Sequence, residues 1–296
     1  MLVTLIAIAL VLETRGRELT ESDYEEGGIN FAYLGRRIFG KPNEESGRNV
    51  AAWTPGYREN PEFLGTYAEG DILFGPQRLR SAVKSESRRW VHGIVPYVFS
   101  SKFWFFQRFM VWRAMAAFHR ETCIRFVERS DRDRDYVLFI SQHWGCYSSI
   151  GRVGGKQVVN LQRPGCLRSG TIIHELMHVI GFAHEQSRFD RDKFINISYE
   201  NVHPSKNWVS LVTNPGRTFA DMTSQFDMSP KQDFTDLDEP YDFGSIMHYS
   251  SYAFTWNGLM TMIPLDGVTK LGRAHYFSPI DIIKVNKLYQ CARSST

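Results

Sequence analysis

Residues His174-Glu175-Leu176-Met177-His178-Val179-Ile180-Gly181-Phe182-Ala183-His184 constrain the local backbone more tightly than any other stretch of this 296-residue chain. On a helix, His174 and His178 emerge on one face, one imidazole above the other. Two neutral imidazoles so placed hold one Zn²⁺ at ~2.0–2.1 Å, and a third nitrogen completes a catalytic site with an open position. His184 supplies that nitrogen, because Gly181 permits a positive φ and lets the chain leave the helix and swing back towards the metal. Glu175 shares the helix without joining the ligands. It is placed to take a proton from a metal-activated water.

A bare H-E-x-x-H also occurs on ordinary amphipathic helices. The glycine and third histidine at fixed offsets, with Ser245-Ile246-Met247-His248-Tyr249 downstream, give the extended pattern by which zincin families are described. Met247 is expected beneath the metal as packing. His92, His119, His143, His203 and His275 lack ligand spacing, and His248 reads as a buried turn residue.

A net charge of +3 is too small to argue for nucleic acid or an anionic membrane, so neither is expected as a partner. Leu2 to Leu12 is an apolar run too short to span a bilayer and fits the apolar region of a signal peptide, expected over residues 1–16. No Lys or Arg precedes it. The four cysteines, Cys123, Cys146, Cys166 and Cys291, contain no C-x-x-C pair, so two disulfides of open connectivity are expected in a secreted, extracellular protein. Asn196-Ile197-Ser198 is the one N-glycosylation sequon.

Residues 17–80 read as a detachable propeptide: rich in Glu, Arg, Gly, Asn and Pro, without cysteine and without sustained periodicity. They end in Gln77-Arg78-Leu79-Arg80-Ser81, a basic site suited to a trypsin-like activating protease. From Trp90 the pattern becomes that of a folded domain. Strands are expected at 91–99, 123–127, 136–141 and 157–161, and a buried backing helix over 103–119. The histidine-bearing helix should run over 171–182. Ser278-Pro279-Ile280-Asp281 starts a last helix, with a hydroxyl N-cap, proline at the first position and an early acid. No further module is expected beyond Cys291.

These motifs resemble those of the astacin-family zinc metalloproteases of the metzincin clan. The likeness covers residues 81–291 of an expected catalytic domain over 81–296, and is carried by Thr122-Cys123-Ile124-Arg125-Phe126, by Gly170-Thr171-Ile172-Ile173 leading into the histidine helix, and by His184-Glu185-Gln186-Ser187-Arg188. Glu185 after the third histidine and His248-Tyr249 after the turn methionine are family-specific positions. The resemblance implies an α+β fold of two lobes. An upper lobe would hold a twisted mixed sheet and long helices, and an irregular lower lobe would close with a C-terminal helix. It also implies the pairs Cys123–Cys291 and Cys146–Cys166. A mature chain would begin at Ser81, whose amino group would meet Glu185. Glu69-Gly70-Asp71 resembles the end of the family's propeptide motif, in which the Asp71 carboxylate ligates zinc. Ala68 stands where the family usually has phenylalanine, which loosens latency unless Tyr67 substitutes.

The implied activity is hydrolysis of internal peptide bonds in protein or peptide substrates, with one Zn²⁺ per subunit and Glu175 as general base. Tyr249, a fifth ligand at rest, would swing to the developing oxyanion. Substrate would add as a strand near Cys146 to Ser149. Met262-Ile263-Pro264-Leu265-Asp266 lacks the cation with which some relatives favour acidic side chains beyond the cut bond, so small or uncharged residues are expected there.

Overall fold

The computed structural model describes residues 42–73, 86–101, 103–202, 222–229, 231, 235–267, 271–272 and 274–292. The expected signal peptide and the Arg80–Ser81 bond lie outside the described residues.

Apolar, β-branched runs build the sheet. Strands β1 (Ile94–Phe99), β2 (Arg125–Glu128), β3 (Tyr136–Ile140), β4 (Cys146–Tyr147) and β5 (Lys156–Leu161) lie in the order β2-β1-β3-β5-β4. The first four in that order are parallel, and β4 closes one edge antiparallel to β5. Only part of each apolar run enters the core: Val95, Phe126, Val137 and Val159 are buried, while Ile94, Val98 and Val127 stay exposed. β1 begins later than expected because Val91–Gly93 form a 3₁₀ turn with His92 at φ 55°. The two-residue β4 is too short to leave a period.

Helix α1 (Glu44–Ala51) precedes the sheet, α2 (Phe105–Glu121) follows β1, and α3 (Ser169–Val179) follows β5. Helix α2 is only half the buried backing helix expected. Val111, Ala114, Met115, Ala117 and Phe118 enter the main core, whereas Trp104, Phe105, Phe106 and Phe109 at its start face solvent. An apolar sequence on every face fixes no orientation, and the packing surface here covers only one side. Helix α3 is buried throughout from Gly170 and ends at Val179, short of the expected 182. Gly181, at φ 111°, turns the chain, and the Phe182 amide reaches back to the Met177 carbonyl at 3.0 Å.

The lower lobe has its own cluster of Phe63, Ile195, Phe226, Tyr249 and Met262, with the antiparallel pair β6 (Ile195–Ile197) and β7 (Met262–Pro264). Helix α4 (Pro279–Leu288) starts on a reciprocal cap. The Asp281 amide donates to Ser278 Oγ, and the Ser278 amide donates to Asp281 Oδ2, both at 2.9 Å. Disulfides join Cys123 to Cys291, and Cys146 to Cys166.

Residues 42–73 pack closely, although their sequence carries no periodicity. Val50, Phe63, Tyr67 and Ile72 are buried. The chain reaches the free edge at β4, where the Ser148 amide donates to the Asp71 carbonyl at 3.0 Å and the Leu73 amide to the Ser148 carbonyl at 2.8 Å. The edge expected to take substrate is held by the chain's own upstream segment.

Candidate metal centre

Helix α3 sets His174 and His178 on one face, and the turn at Gly181 returns His184 beside them. The Asp71 carboxylate enters from the opposite side. Its Oδ2 lies 2.9 Å from His174 Nε2, and its Oδ1 lies 3.3 Å from both His178 Nε2 and His184 Nε2. The His174 and His184 Nε2 atoms are 3.1 Å apart. Tetrahedral ligands at ~2.0–2.1 Å from zinc stand roughly 3.3 Å from one another. The separations above are close to that, and all four donors lie within 4.8 Å of one another. Asp71 Oδ1 and His178 Nε2 are buried with no hydrogen-bond partner among the described residues, as ligand atoms would be.

Every imidazole is oriented through its other nitrogen. His174 Nδ1 meets the Ile246 carbonyl at 2.8 Å, His178 Nδ1 the Phe182 carbonyl at 2.7 Å, and His184 Nδ1 the Glu69 carboxylate at 2.8 Å. A donor proton on Nδ1 leaves each Nε2 lone pair aimed at the metal position. The Ile246 peptide is fixed in turn, its amide donating to Asp281 Oδ2 at 2.9 Å. Sequence spacing gave no sign of that link between the last helix and the first histidine.

Electrostatics separates the two central carboxyls. Burial raises Asp71, but the three imidazoles outweigh it and hold the group well below the usual carboxylate range. Burial, with the Asp71 charge nearby, pushes Glu175 well above it. Both Glu175 oxygens are buried without a hydrogen-bond partner among the described residues. A desolvated carboxyl of this kind suits proton transfer.

The remaining expected positions are also placed. Tyr249 is fully buried, its hydroxyl on the Glu69 carbonyl and its ring 4.6 Å from that of His184. Met247 is buried in the main core, and its carbonyl accepts the Glu185 amide at 3.0 Å. Asn196 projects outward from β6. Gly70 sits at φ 84°, where an added Cβ would crowd Phe254 and the Phe63 backbone at 3.3 Å. Tyr67 packs against Tyr147 and donates to the Trp144 carbonyl at 2.6 Å. The ring against the histidines is Phe63, at 5.4 Å from His174 and 4.2 Å from Tyr249. Ser81 lies outside the described residues. Glu185 is held by Lys284 of α4 at 2.8 and 2.6 Å and by Arg188 at 3.1 Å. Neither Phe63 nor Lys284 carries a local sequence signal.

The model of the Astacin peptidase family matches residues 82–290. The chain belongs to the astacin family. This astacin is 40% identical over 238 residues to zinc metalloproteinase nas-4 of Caenorhabditis elegans, covering 77% of this chain and 70% of that one. It is 40% identical over 219 residues to zinc metalloproteinase nas-8 of Steinernema carpocapsae, covering 73% and 48%. It thus spans about half the length of several curated relatives that it matches. Among solved structures it resembles high choriolytic enzyme 1, a hatching enzyme zinc-protease from Oryzias latipes, with a TM-score of 0.61 and 35% identity over 72% of this chain and all of that one. Zinc is accordingly the metal of the buried centre, and His174, His178 and His184 with Asp71 are the donors that fit it. No helix among the described residues is long and apolar enough to cross a membrane.

Proposed function

We propose that this astacin is a secreted zinc endopeptidase made as a latent zymogen, with a signal peptide over 1–16, a propeptide over 17–80 and a catalytic domain over 81–296. The observation that carries this reading is the Asp71 carboxylate seated on all three imidazoles while the adjoining backbone fills the β4 edge. A trypsin-like cut at Arg80–Ser81 frees the edge and the fourth metal position together. The Ser81 amino group then joins Glu185, beside a small cleft lined by Phe182, Arg188, Ser229 and Lys284.

Zinc held by His174, His178 and His184 supplies a Lewis acid and an acidified water. Glu175 takes the proton of the attacking water and returns it to the leaving amine. Tyr249, released from the Glu69 carbonyl once the propeptide leaves, donates to the carbonyl oxygen as charge develops there. The substrate pairs with the β4 edge as an added strand, and an uncharged Ile263–Leu265 segment favours small or uncharged side chains beyond the cut bond. Retention of Glu175, the three histidines and Tyr249 speaks against an inactive, protease-derived binding protein.

The test is casein hydrolysis before and after tryptic cleavage, with and without chelator, alongside Glu175→Gln and N-terminal sequencing of the product. Activity should appear only after cleavage at Arg80, vanish with chelator, and fall by roughly 10²–10⁴-fold in Glu175→Gln. Full activity in that variant, or in the uncut chain, would overturn the reading.

A further inference from the structure

We propose that the amino-terminal tip of α2 is a wedge that docks the protein onto anionic phospholipid surfaces. Trp104, Phe105, Phe106 and Phe109 are 71%, 76%, 70% and 45% exposed. Aromatic side chains carry on the order of 150–250 Å² each. Three consecutive, largely bare rings and a fourth half-exposed one a turn later exceed the isolated apolar residue that any surface tolerates.

The tip is built rather than loose. The Trp104 amide donates to the buried Gln107 Oε1 at 2.6 Å, and Gln107 Nε2 continues to Ser141 at 3.2 Å. Arg108 Nε donates to the Phe103 carbonyl at 2.9 Å, with its guanidinium over the Phe99 ring. The rings therefore stand on a helix start that is itself held in place.

Charge decides between possible occupants. Helix α2 has no acid before Glu121, and neither the preceding turn 100–103 nor the bordering segments 141–144 and 162–164 contain one. Arg113 continues the exposed face one turn beyond Phe109, and Arg163 places its guanidinium 5.9 Å from the Trp104 ring. Beside the rings opens a cleft of about 440 Å³ lined by Trp104, Gln107, Ser141, His143, Arg163 and Pro164. Its polar donors suit a phosphate-bearing headgroup while the neighbouring rings enter the acyl boundary. Phenylalanine and tryptophan on one side with arginine behind them is the distribution of an interfacial anchor. Phe105, Phe109 and Phe106 fan across about 100° of the helix surface, a convex end that a fluid bilayer accepts without a matching groove. The overall charge of +3 hides this, because it averages a basic tip with acids elsewhere.

The test uses the full chain and co-sedimentation with vesicles of phosphatidylcholine alone or mixed with phosphatidylserine. Wild-type protein should bind the mixed vesicles, and Phe105→Ser/Phe106→Ser/Phe109→Ser should weaken binding by roughly tenfold or more. Neutralising Arg113 and Arg163 to glutamine should cost roughly fivefold each and remove the preference for phosphatidylserine. Brominated lipid should quench wild-type fluorescence more than that of Trp104→Phe. Circular dichroism checks that each variant is folded. Equal binding by wild type and the serine variant would place lipid affinity elsewhere, for instance in the apolar run 2–12, and overturn the proposal. So would absence of vesicle binding, a wild-type dimer that the serine variant dissolves, or vesicle binding lost to inorganic phosphate while the serine variant binds as wild type.

Discussion

The Lys284 ammonium reaches both oxygens of Glu185, at 2.8 and 2.6 Å, from a helix 99 positions further along the chain. Their side chains are 6% and 7% exposed, and Arg188 and the Asp242 amide share the same carboxylate. Removing one member of a buried pair costs about 3–5 kcal/mol, because the other is left uncompensated. Glu185→Gln leaves a buried ammonium without its counter-charge and should lose about that much. Lys284→Met leaves Glu185 still paired with Arg188 and should lose less. Urea unfolding of both variants gives the order.

If the chain is the zymogen proposed above, its latency rests on more than one contact. Asp71→Asn removes a charged hydrogen-bonding partner worth about 1.5–3 kcal/mol, which raises the open population on the order of tenfold to a hundredfold. The uncut variant should hydrolyse peptide at that multiple of the wild-type background. Phe63→Ala keeps the carboxylate but strips the ring from His174 and Tyr249, and it should leak less than Asp71→Asn. Peptide hydrolysis by each uncut protein separates the two contributions.

Asp281 gives the last helix a pH signature. Burial raises its carboxyl from 3.8 to about 6, against hydrogen bonds from the Ile246 amide, Ser245 and the Ser278 amide; Asp242 adds a smaller upward push. The folded chain therefore holds this proton more tightly than the unfolded one does. The stabilisation is complete below 3.8 and lost as pH rises through about 6. It amounts to on the order of 3 kcal/mol. Asp281→Asn cannot titrate. The stability of wild type relative to that variant should fall by this amount across that interval, as followed by denaturant unfolding at a series of pH values.

The two disulfides close loops of very different size, with sequence separations of 168 and 20 residues. Loop-closure entropy assigns about 5 kcal/mol to the longer and about 3 kcal/mol to the shorter. Replacing Cys123 and Cys291 together by serine should lower the melting temperature more than replacing Cys146 and Cys166. The opposite order would show that the short loop is held mainly for the geometry of β4.

Local patterns told true where the physics is local. His174 and His178 share a face because a helix repeats every 3.6 residues. Gly181 turns the chain because only glycine takes φ 111° freely. Ser278 and Asp281 cap a helix across three residues. Helix α2 shows the limit: its residues are apolar on nearly every face, and no periodicity could say that Val111 and Phe118 would be inside while Phe105 and Phe106 stayed out. Residues 42–73, which lack periodicity, still fold against the centre because their partners are the sheet edge and the histidine cluster, not their own neighbours.

Spacings within a few residues were enough to pick out His174, His178 and His184 as one group with Glu175 beside them, most strands of the parallel sheet and the start of the last helix. Only the family resemblance, and no spacing, marked Asp71 for its contact with His174 across 103 positions; that Phe63 and not Tyr67 covers the histidines, and that Lys284 holds Glu185, emerged only from the folded chain. Those contacts form between surfaces brought together by burial, and burial is a property of the whole chain that no short window records.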